Sequence, residues 1–185
     1  DDPWGRKLNL DKKPSQELVQ YVMDSRNAVR LQAIEQLVIE GEPAINEIKK
    51  TLLSAQDEEV RAAAVFMLYR IDTPGAMVMI RETLGDKSAM VRTAAARVLG
   101  LAKDQQSVTK LMEMVQTDKA AVRRQAATAL GQIGDQQAIG ALLKAASNPD
   151  DRFVEHSIIY SLITLKSPEP LIQALTDTSA TIRKA

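Results

Sequence analysis

The sequence contains no cysteine and only one histidine, His156. The lack of cysteine excludes disulfide bonds, thiolate nucleophiles, iron–sulfur clusters and covalently attached haem within these 185 residues. A single histidine also excludes a metal site built from histidines alone. We therefore predict that the chain binds no cofactor and no metal ion.

Aromatic residues and net charge are also scarce. The chain has one tryptophan, three tyrosines and two phenylalanines, and its 24 basic residues are balanced by 24 acidic ones. Without a charge excess or a series of stacking positions, nucleic-acid binding is poorly supported. No apolar run approaches the roughly 18 residues of a membrane span, and the start of the chain does not resemble an export signal. These absences favour a protein partner, no nucleic acid and no membrane insertion.

A repeated motif organises the rest of the sequence. A valine–arginine pair recurs four times at an interval of 31 residues, followed each time by alanine and leucine at the same offsets. The four arginines are Arg30, Arg61, Arg92 and Arg123. A fifth copy has Glu155 in place of the arginine, and a sixth, with Arg183, is cut off at Ala185. A fixed period in this range is typical of solenoid proteins.

Helical periodicity accompanies every copy of the motif. Apolar residues follow each valine at offsets of 4 and 8, and also at 11 except after Val29, which places them along one stripe of a helix, the second of a pair. The first helix of each pair is predicted at 18–23, 45–53, 77–84, 108–115, 139–145 and 171–175. No segment alternates like a strand, so the predicted fold class is all-α, with about six helix pairs over 15–185, the last truncated. The chain is expected to be a monomer.

Some residues near the ends of these helices have a specific expected role. Gly41, Gly131 and Gly134 are expected to end second helices; the alternative for Gly131 and Gly100, which share an offset, is close helix packing. The lead-in at 1–14 is expected to cap the array, with Trp4 covering the first repeat or packing against a preceding domain.

The motif resembles the HEAT repeat, in the short form found in phycobilisome-lyase-like proteins. The resemblance rests on an aspartate in the turn, the valine–arginine pair, and alanine and leucine at helical spacing, and it covers Ser15 to Ala185. An interval of 31 residues is shorter than the roughly 40–47 residues of longer HEAT and armadillo repeats. The resemblance implies a right-handed α-solenoid of helix-turn-helix repeats and says almost nothing about function.

A narrower resemblance involves the lead-in Asp2–Leu10 and the segment Asp151–Ile163, which look like the HEAT region of large exported bacterial proteins. In that family a β-propeller resembling sugar dehydrogenases precedes the repeats, and a cytochrome-c-like domain with a Cys-x-x-Cys-His motif follows them. The resemblance implies a periplasmic or exported location and a connector role, although none of the redox residues has a counterpart here. Because the chain begins without methionine and stops within a repeat, we expect it to be part of a larger multidomain protein.

The recurring arginines fit either an anion-binding row or a structural ladder. Each lies beside a turn that carries an aspartate, so hydrogen bonds between arginines and aspartates that tie adjacent turns are the simpler interpretation. The expected ladder consists of Asp24, Arg30, Asp57, Arg61, Asp86, Arg92, Asp118 and Arg123. Glu155 would interrupt it.

Function is then sought on the opposite side of the second helices, at offsets 2, 6 and 10 and their neighbours. The expected protein-binding face consists of Glu35, Phe66, Arg70, Arg97, Arg124, His156 and Tyr160. The family resemblance implies that this face is concave. Phe66 and Tyr160 are the expected anchors, because aromatic and arginine side chains carry much of the energy at interfaces. The alternative for Phe66 is packing between repeats.

These features favour a non-catalytic scaffold or a protein-interaction and spacer module. No catalytic residue is predicted, and for His156 a surface contact with Tyr160, four positions on, is favoured over catalysis. The alternative is a HEAT-like enzyme, either a bilin lyase or a DNA glycosylase. A glycosylase is disfavoured because the net charge is zero and the single tryptophan lies outside the repeats.

Overall fold

The computed structural model of the chain describes residues 2–184. Within this range the chain forms twelve α-helices in six consecutive pairs, and no residue is in a β-strand. The pairs are α1 (Ser15–Tyr21) with α2 (Asn27–Glu40), α3 (Ile45–Glu47) with α4 (Glu58–Ile71), α5 (Pro74–Glu82) with α6 (Ala89–Leu101), α7 (Val108–Thr117) with α8 (Ala120–Ile133), α9 (Ala138–Ala146) with α10 (Arg152–Leu165), and α11 (Pro168–Ala174) with α12 (Ala180–Lys184). The predicted all-α fold is confirmed. Among the described residues, no helix combines the length and apolarity that a membrane span requires.

In every complete pair the second helix buries its valine and the residues four and eight positions on, as the spacing predicts. The residue at offset 11 is buried in α4, α8 and α10, but it is the partly buried Glu40 in α2 and the exposed Ala102 after α6. In α8, for example, Val122, Ala126 and Leu130 have no exposed surface. Full burial of a valine or leucine side chain contributes about 1.5–3 kcal/mol, so this stripe is what holds a second helix in place. Gly41 and Gly134 end α2 and α8 at positive φ, a conformation that favours glycine, as predicted.

Two compact units divide the chain, Asp1–Thr83 and Leu84–Ala185, which we call unit 1 and unit 2. In unit 1, α2 packs against α4, and α1 packs against α3. In unit 2, α8 lies between α6 and α10, while α7 packs against α9 in a second layer. Within each unit, residues at the same sequence offset from the valine therefore lie on the same side of neighbouring second helices.

Small residues allow the second helices of unit 2 to approach closely. A Cβ added to Gly100 would lie 2.7 Å from the Cα of Ala129, and one added to Gly131 would lie 3.0 Å from the Cα of Ser161. Close packing is therefore the role of both glycines. The expectation that Gly131 ends a helix is wrong, because α8 continues to Ile133.

The first helix of the second pair differs from its predicted form. The pattern predicts one helix over 45–53, whereas α3 ends at Glu47 and Ile48–Leu53 follow as a π-helix. Ile48 and Leu52 are still buried, so the segment contributes to the core of unit 1. Apolar spacing predicts which residues are buried, but it does not distinguish an α-helical turn from a π-helical one.

The lead-in packs on the first pair through Gly5 and Leu10 rather than through Trp4. Leu10 is buried, and a Cβ added to Gly5 would lie 2.6 Å from Cγ2 of Val29. Gln32 holds the segment by donating from Nε2 to the Trp4 carbonyl oxygen at 2.9 Å. Trp4 itself is 61% exposed, so the expectation that it covers the first repeat is wrong. The space against α2 is already filled by the Gly5 backbone and by Leu10.

Candidate protein-binding face

The seven residues of the expected binding face are all exposed on second helices. Three lie in unit 1 and four in unit 2. We call Glu35 on α2 with Phe66 and Arg70 on α4 face 1, and Arg97 on α6, Arg124 on α8, and His156 with Tyr160 on α10 face 2. Both faces lie opposite the buried stripe, because residues two, six and ten positions beyond each valine point away from the core.

Face 1 combines one aromatic side chain with a neutralised arginine. Nη2 of Arg70 lies 2.7 Å from Oε2 of Glu35, and the two side chains are 47% and 54% exposed. An ion pair this exposed contributes roughly 0–1 kcal/mol to stability. Phe66 is 42% exposed, so part of its ring packs within unit 1 and part remains available to a partner.

Face 2 carries two arginines, Arg97 and Arg124, that no carboxylate among residues 2–184 neutralises. The guanidinium groups of Arg97 and Arg124 form no ion pair or hydrogen bond with any residue in the range 2–184. Tyr160 is 62% exposed, and the exposed His156 lies one turn before it on α10. Exposed aromatic side chains beside unpaired arginines are a composition enriched at protein interfaces.

Two residues at the start of α10 extend face 2 and are absent from the predicted set. Phe153 is 56% exposed, and the Arg152 guanidinium carbon lies 5.1 Å from the centre of its ring, a cation–π distance. Phe153 and Arg124 line a cleft of about 160 Å³ between α8 and α10. The sequence signal for Phe153 is its place directly before the valine, the offset at which Met90 is also exposed.

Face 2 also contains one histidine and one tyrosine, His156 and Tyr160, one helical turn apart on α10. His156 and Tyr160 are both open to solvent, and His156 has no hydrogen-bond partner among residues 2–184. Nor does this range contain a group of three or more histidine, aspartate or glutamate side chains that could hold a metal ion. Face 2 presents positive charge and aromatic rings to the solvent.

The recurring arginines bind the backbone of their own turns. Four of them donate from Nη1 to the carbonyl oxygens six and five residues earlier. These are Arg30 to Asp24 (2.7 Å) and Ser25 (3.1 Å), Arg61 to Ala55 (2.8 Å) and Gln56 (2.9 Å), Arg92 to Asp86 (2.7 Å) and Lys87 (3.2 Å), and Arg183 to Asp177 (2.7 Å) and Thr178 (2.9 Å). Each arginine thus closes the turn between the two helices of its pair, which is a structural role.

Arg92 also reaches the turn of the next repeat. Its Nε and Nη2 donate to the two carboxylate oxygens of Asp118 at 2.7 and 2.5 Å, and the side chains are only 15% and 12% exposed. Burial alone would raise the pKa of Asp118, but hydrogen bonds from Arg92 and from the Lys119 amide outweigh burial and lower it. This bidentate pair has the geometry expected of a ladder between adjacent turns.

Arg123 departs from this pattern because its turn is the shortest, with only residues 118–119 between α7 and α8. It is buried and makes four contacts instead. These are Nε to the Val115 carbonyl at 2.9 Å, Nη2 to the Ala145 and Asn148 carbonyls at 3.4 and 2.9 Å, and Nη1 to Oδ1 of Asp150 at 2.8 Å. The carboxylate of its expected partner, Asp118, is bound by Arg92. Arg123 therefore ties its own repeat to the turn of the following one.

Two other aspartates of the expected ladder have local partners. The carboxylate of Asp24 accepts hydrogen bonds from the side chain of Arg26, at 2.8 Å, and from its amide, and these bonds lower the pKa of Asp24 to about 2. Asp57 caps α4 by accepting from the amide of Glu59 at 2.8 Å. Asp24 and Asp57 therefore accept local hydrogen bonds instead of the expected ones from Arg30 and Arg61. A short acidic side chain in a turn reaches the donors nearest to it first.

The paired helices and their repeated turn geometry define a helical repeat protein of the α-solenoid class. The HEAT-repeat family model matches residues 45–128, 77–163 and 118–185. Together these matches cover most of the chain, and the chain belongs to the HEAT-repeat family. No curated protein sequence matches.

Solved structures share the fold at low sequence identity. The complex of CpcE and CpcF of phycocyanin lyase from Nostoc sp. is similar at a TM-score of 0.64 and 18% identity, over 80% of this chain and 96% of that one. Human deoxyhypusine hydroxylase in complex with glycerol is similar at 0.57 and 23% identity, over 82% of this chain and 62% of that one. An engineered protein is similar at 0.50 and 20% identity, over 92% of each chain. At these identities the likeness concerns the fold alone.

Proposed function

We propose that the chain is a non-catalytic protein-interaction and spacer module whose partner binds face 2. The observation that carries this proposal is the exposed Tyr160 on a surface where Arg97 and Arg124 have no ion-pair partner within the described part of the chain. The cationic side chains of face 2 offer hydrogen bonds and charge, and the aromatic ring offers apolar area, so a partner could gain both specificity and affinity.

One of the similar solved structures supports the proposal that the chain assembles with another protein chain. The structure similar at a TM-score of 0.64 is a complex of two chains, CpcE and CpcF. By analogy, the present chain would work through a stable contact with a second polypeptide. The composition of face 2 supports the proposal more directly, because a shared fold does not determine function.

The test is affinity capture with chemical cross-linking from the source cell, followed by reconstitution with the purified partner. The wild-type chain and Val78→Ala should recover the same partner, and Tyr160→Ala should lose it. Val78 is a matched control, because it is 46% exposed but lies on the first helix α5. Recovery of the same partner by Tyr160→Ala, or of no partner by the wild-type chain, would contradict the proposal.

The spacer role is proposed from the narrower resemblance of Asp2–Leu10 and Asp151–Ile163 to the HEAT region of exported bacterial proteins. In that setting the repeats hold two flanking domains apart. The encoding open reading frame provides the check: a propeller before the repeats and a Cys-x-x-Cys-His motif after them would support the role. A reading frame that encodes neither the propeller nor the Cys-x-x-Cys-His motif would rule out the spacer role and would not affect the proposed binding role of face 2.

Similarity to a phycocyanin lyase structure favours one second candidate, a bilin-lyase-like activity. Such an activity predicts a change in absorbance when the chain is incubated with a bilin and its acceptor protein. An unchanged spectrum would exclude this candidate.

A further inference from the structure

The second helices of unit 2 are almost free of acidic residues. Helices α6 and α8 contain no aspartate or glutamate, and α10 contains only the partly buried Glu155. By contrast, α2 contains Glu35 and Glu40, and α4 begins with two glutamates. The units as wholes differ in the same sense, with 13 basic and 10 acidic residues in unit 2 against 11 and 14 in unit 1.

Each of these three helices contributes one exposed arginine without a carboxylate partner among residues 2–184. They are Arg97 on α6, Arg124 on α8 and Arg152 on α10. The other arginines of these helices, Arg92 and Arg123, are engaged by backbone carbonyls and carboxylates. The unpaired arginines are therefore not required to hold the repeats together, and their guanidinium groups remain free to bind carboxylates in bidentate geometry.

Apolar side chains accompany these arginines on the same side of unit 2. Phe153 and Tyr160 are 56% and 62% exposed, and Met90, which shares the offset of Phe153, is 46% exposed. One carboxylate is near: Asp151 lines the cleft with Arg124 and Phe153. Its Oδ1 caps α10 by accepting from the amides of Phe153 and Val154 at 2.8 and 2.9 Å. The face thus combines positive charge with aromatic and aliphatic surface.

We infer that face 2, extended by Arg152 and Phe153, binds an acidic segment of a partner protein in which carboxylates alternate with apolar or aromatic side chains. This inference rests on the proposed function and specifies the chemistry of the partner. Charge complementarity selects acidic residues, and the exposed rings select apolar ones. A nucleic acid fits less well, because three arginines would release few counterions and two aromatic rings on one helix do not form a continuous stacking track.

Fluorescence anisotropy tests the inference with the full chain and a labelled peptide of Glu-Glu-Phe-Ser repeats. Matched peptides carry glutamine or lysine in place of glutamate, and a single-stranded oligothymidylate of similar length is the fourth probe. The glutamate peptide should bind most tightly. Its Kd should rise several-fold between about 50 and 200 mM salt, because exposed charges are screened.

Variants identify the surface. The double variant Arg97→Ala with Arg124→Ala should raise the Kd of the glutamate peptide about tenfold, whereas Lys110→Ala with Lys144→Ala should change it less than twofold. The control removes the same charge from the first helices α7 and α9. Circular dichroism melts should show that both double variants are folded, since all four side chains are exposed.

Several outcomes would overturn the inference. These are equal affinity for the glutamate and glutamine peptides, equal loss of affinity in the two double variants, or tighter binding of the oligothymidylate. If a cellular partner is recovered through Tyr160 but the glutamate peptide has no advantage, the acidic preference is wrong and the proposed function stands. If the glutamate peptide binds through Arg97 and Arg124 but no cellular partner is captured, the site is supported and the proposed assembly is not.

Discussion

Gly100 on α6 faces Ala129 on α8 so closely that an added Cβ would lie 2.7 Å from the Ala129 Cα. The neighbouring atom belongs to the backbone, which cannot rotate away as a flexible side chain can. Gly100→Ala should therefore destabilise the protein by about 1–3 kcal/mol through overpacking. This loss should exceed the gain of about 1 kcal/mol that alanine brings to a helix interior. Urea denaturation followed by circular dichroism measures the difference.

A second glycine provides the opposite case. Gly140 lies within α9, and a Cβ added there would meet no atom within 4 Å. Gly140→Ala should therefore stabilise the protein by about 0.5–1 kcal/mol, because only the helix propensity changes. If both substitutions shift the urea midpoint in the same direction, close packing at Gly100 does not determine the effect of Gly100→Ala on stability.

The pair between Arg92 and Asp118 should show strong energetic coupling. Its two hydrogen bonds are charge-assisted and its side chains are mostly buried, so each single alanine substitution should cost about 2 kcal/mol. In a double-mutant cycle the coupling energy should be about 1–2 kcal/mol. The control cycle uses Arg70 and Glu35, an exposed pair whose coupling should stay below about 1 kcal/mol. Equal coupling in both cycles would contradict the importance of burial and bidentate geometry.

Acid should weaken the interaction between Asp24 and Arg26 only at low pH. Hydrogen bonds from Arg26 lower the pKa of Asp24 from 3.8 to about 2. A lowered folded-state pKa gives stability that is complete above about pH 4 and is lost as the pH falls towards 2. The difference in unfolding free energy between wild type and Asp24→Asn should therefore be constant near neutrality and shrink within that window. A difference that first shrinks near pH 6 would assign the effect to another group.

Arg123 and Arg30 share a place in the repeat but should differ in their effect on stability. Arg123 is 5% exposed and binds three carbonyls and the Asp150 carboxylate, whereas the partly buried Arg30 binds mainly its own turn. Arg123→Ala should cost about 3–5 kcal/mol, and Arg30→Ala about 1–2 kcal/mol. Thermal denaturation of the two variants makes the comparison, and a larger loss for Arg30→Ala would contradict it.

Sequence reasoning predicts the helix pairs because one interval governs both the motif and the apolar stripe. The offset from the valine decides which side of a second helix a residue occupies. Offsets 0, 4 and 8 are buried, as with Val122, Ala126 and Leu130, whereas Arg97 and Tyr160 at offset 6 are exposed. The exposure of the expected binding face follows from this geometry. Whether this face binds a partner does not follow from the geometry, because exposure alone does not identify a ligand.

The partners of the arginines could not be predicted in the same way. Whether Arg123 meets its own turn or the next depends on how many residues separate α7 from α8, and helix ends are poorly marked in the sequence there. Trp4 illustrates a related limit: its size suggests burial, but the smaller Gly5 and Leu10 fill the available space. Phe153 lies seven residues before Tyr160, about two helical turns, so periodicity places both on one face; the expected set misses Phe153 because it includes only positions after the valine.

Four arginines bind the backbone carbonyl oxygens of their turns at the positions six and five residues earlier. Every amino acid has a carbonyl oxygen, so this contact constrains the path of the chain without constraining its side chains. The residues that it fixes already differ from turn to turn, as with Ser25, Gln56, Lys87 and Thr178. The position five residues before each of these arginines is therefore best suited to accept new side chains. Asp24, Asp118 and Asp150 bond through their carboxylates, so a redesigned turn would have to keep them.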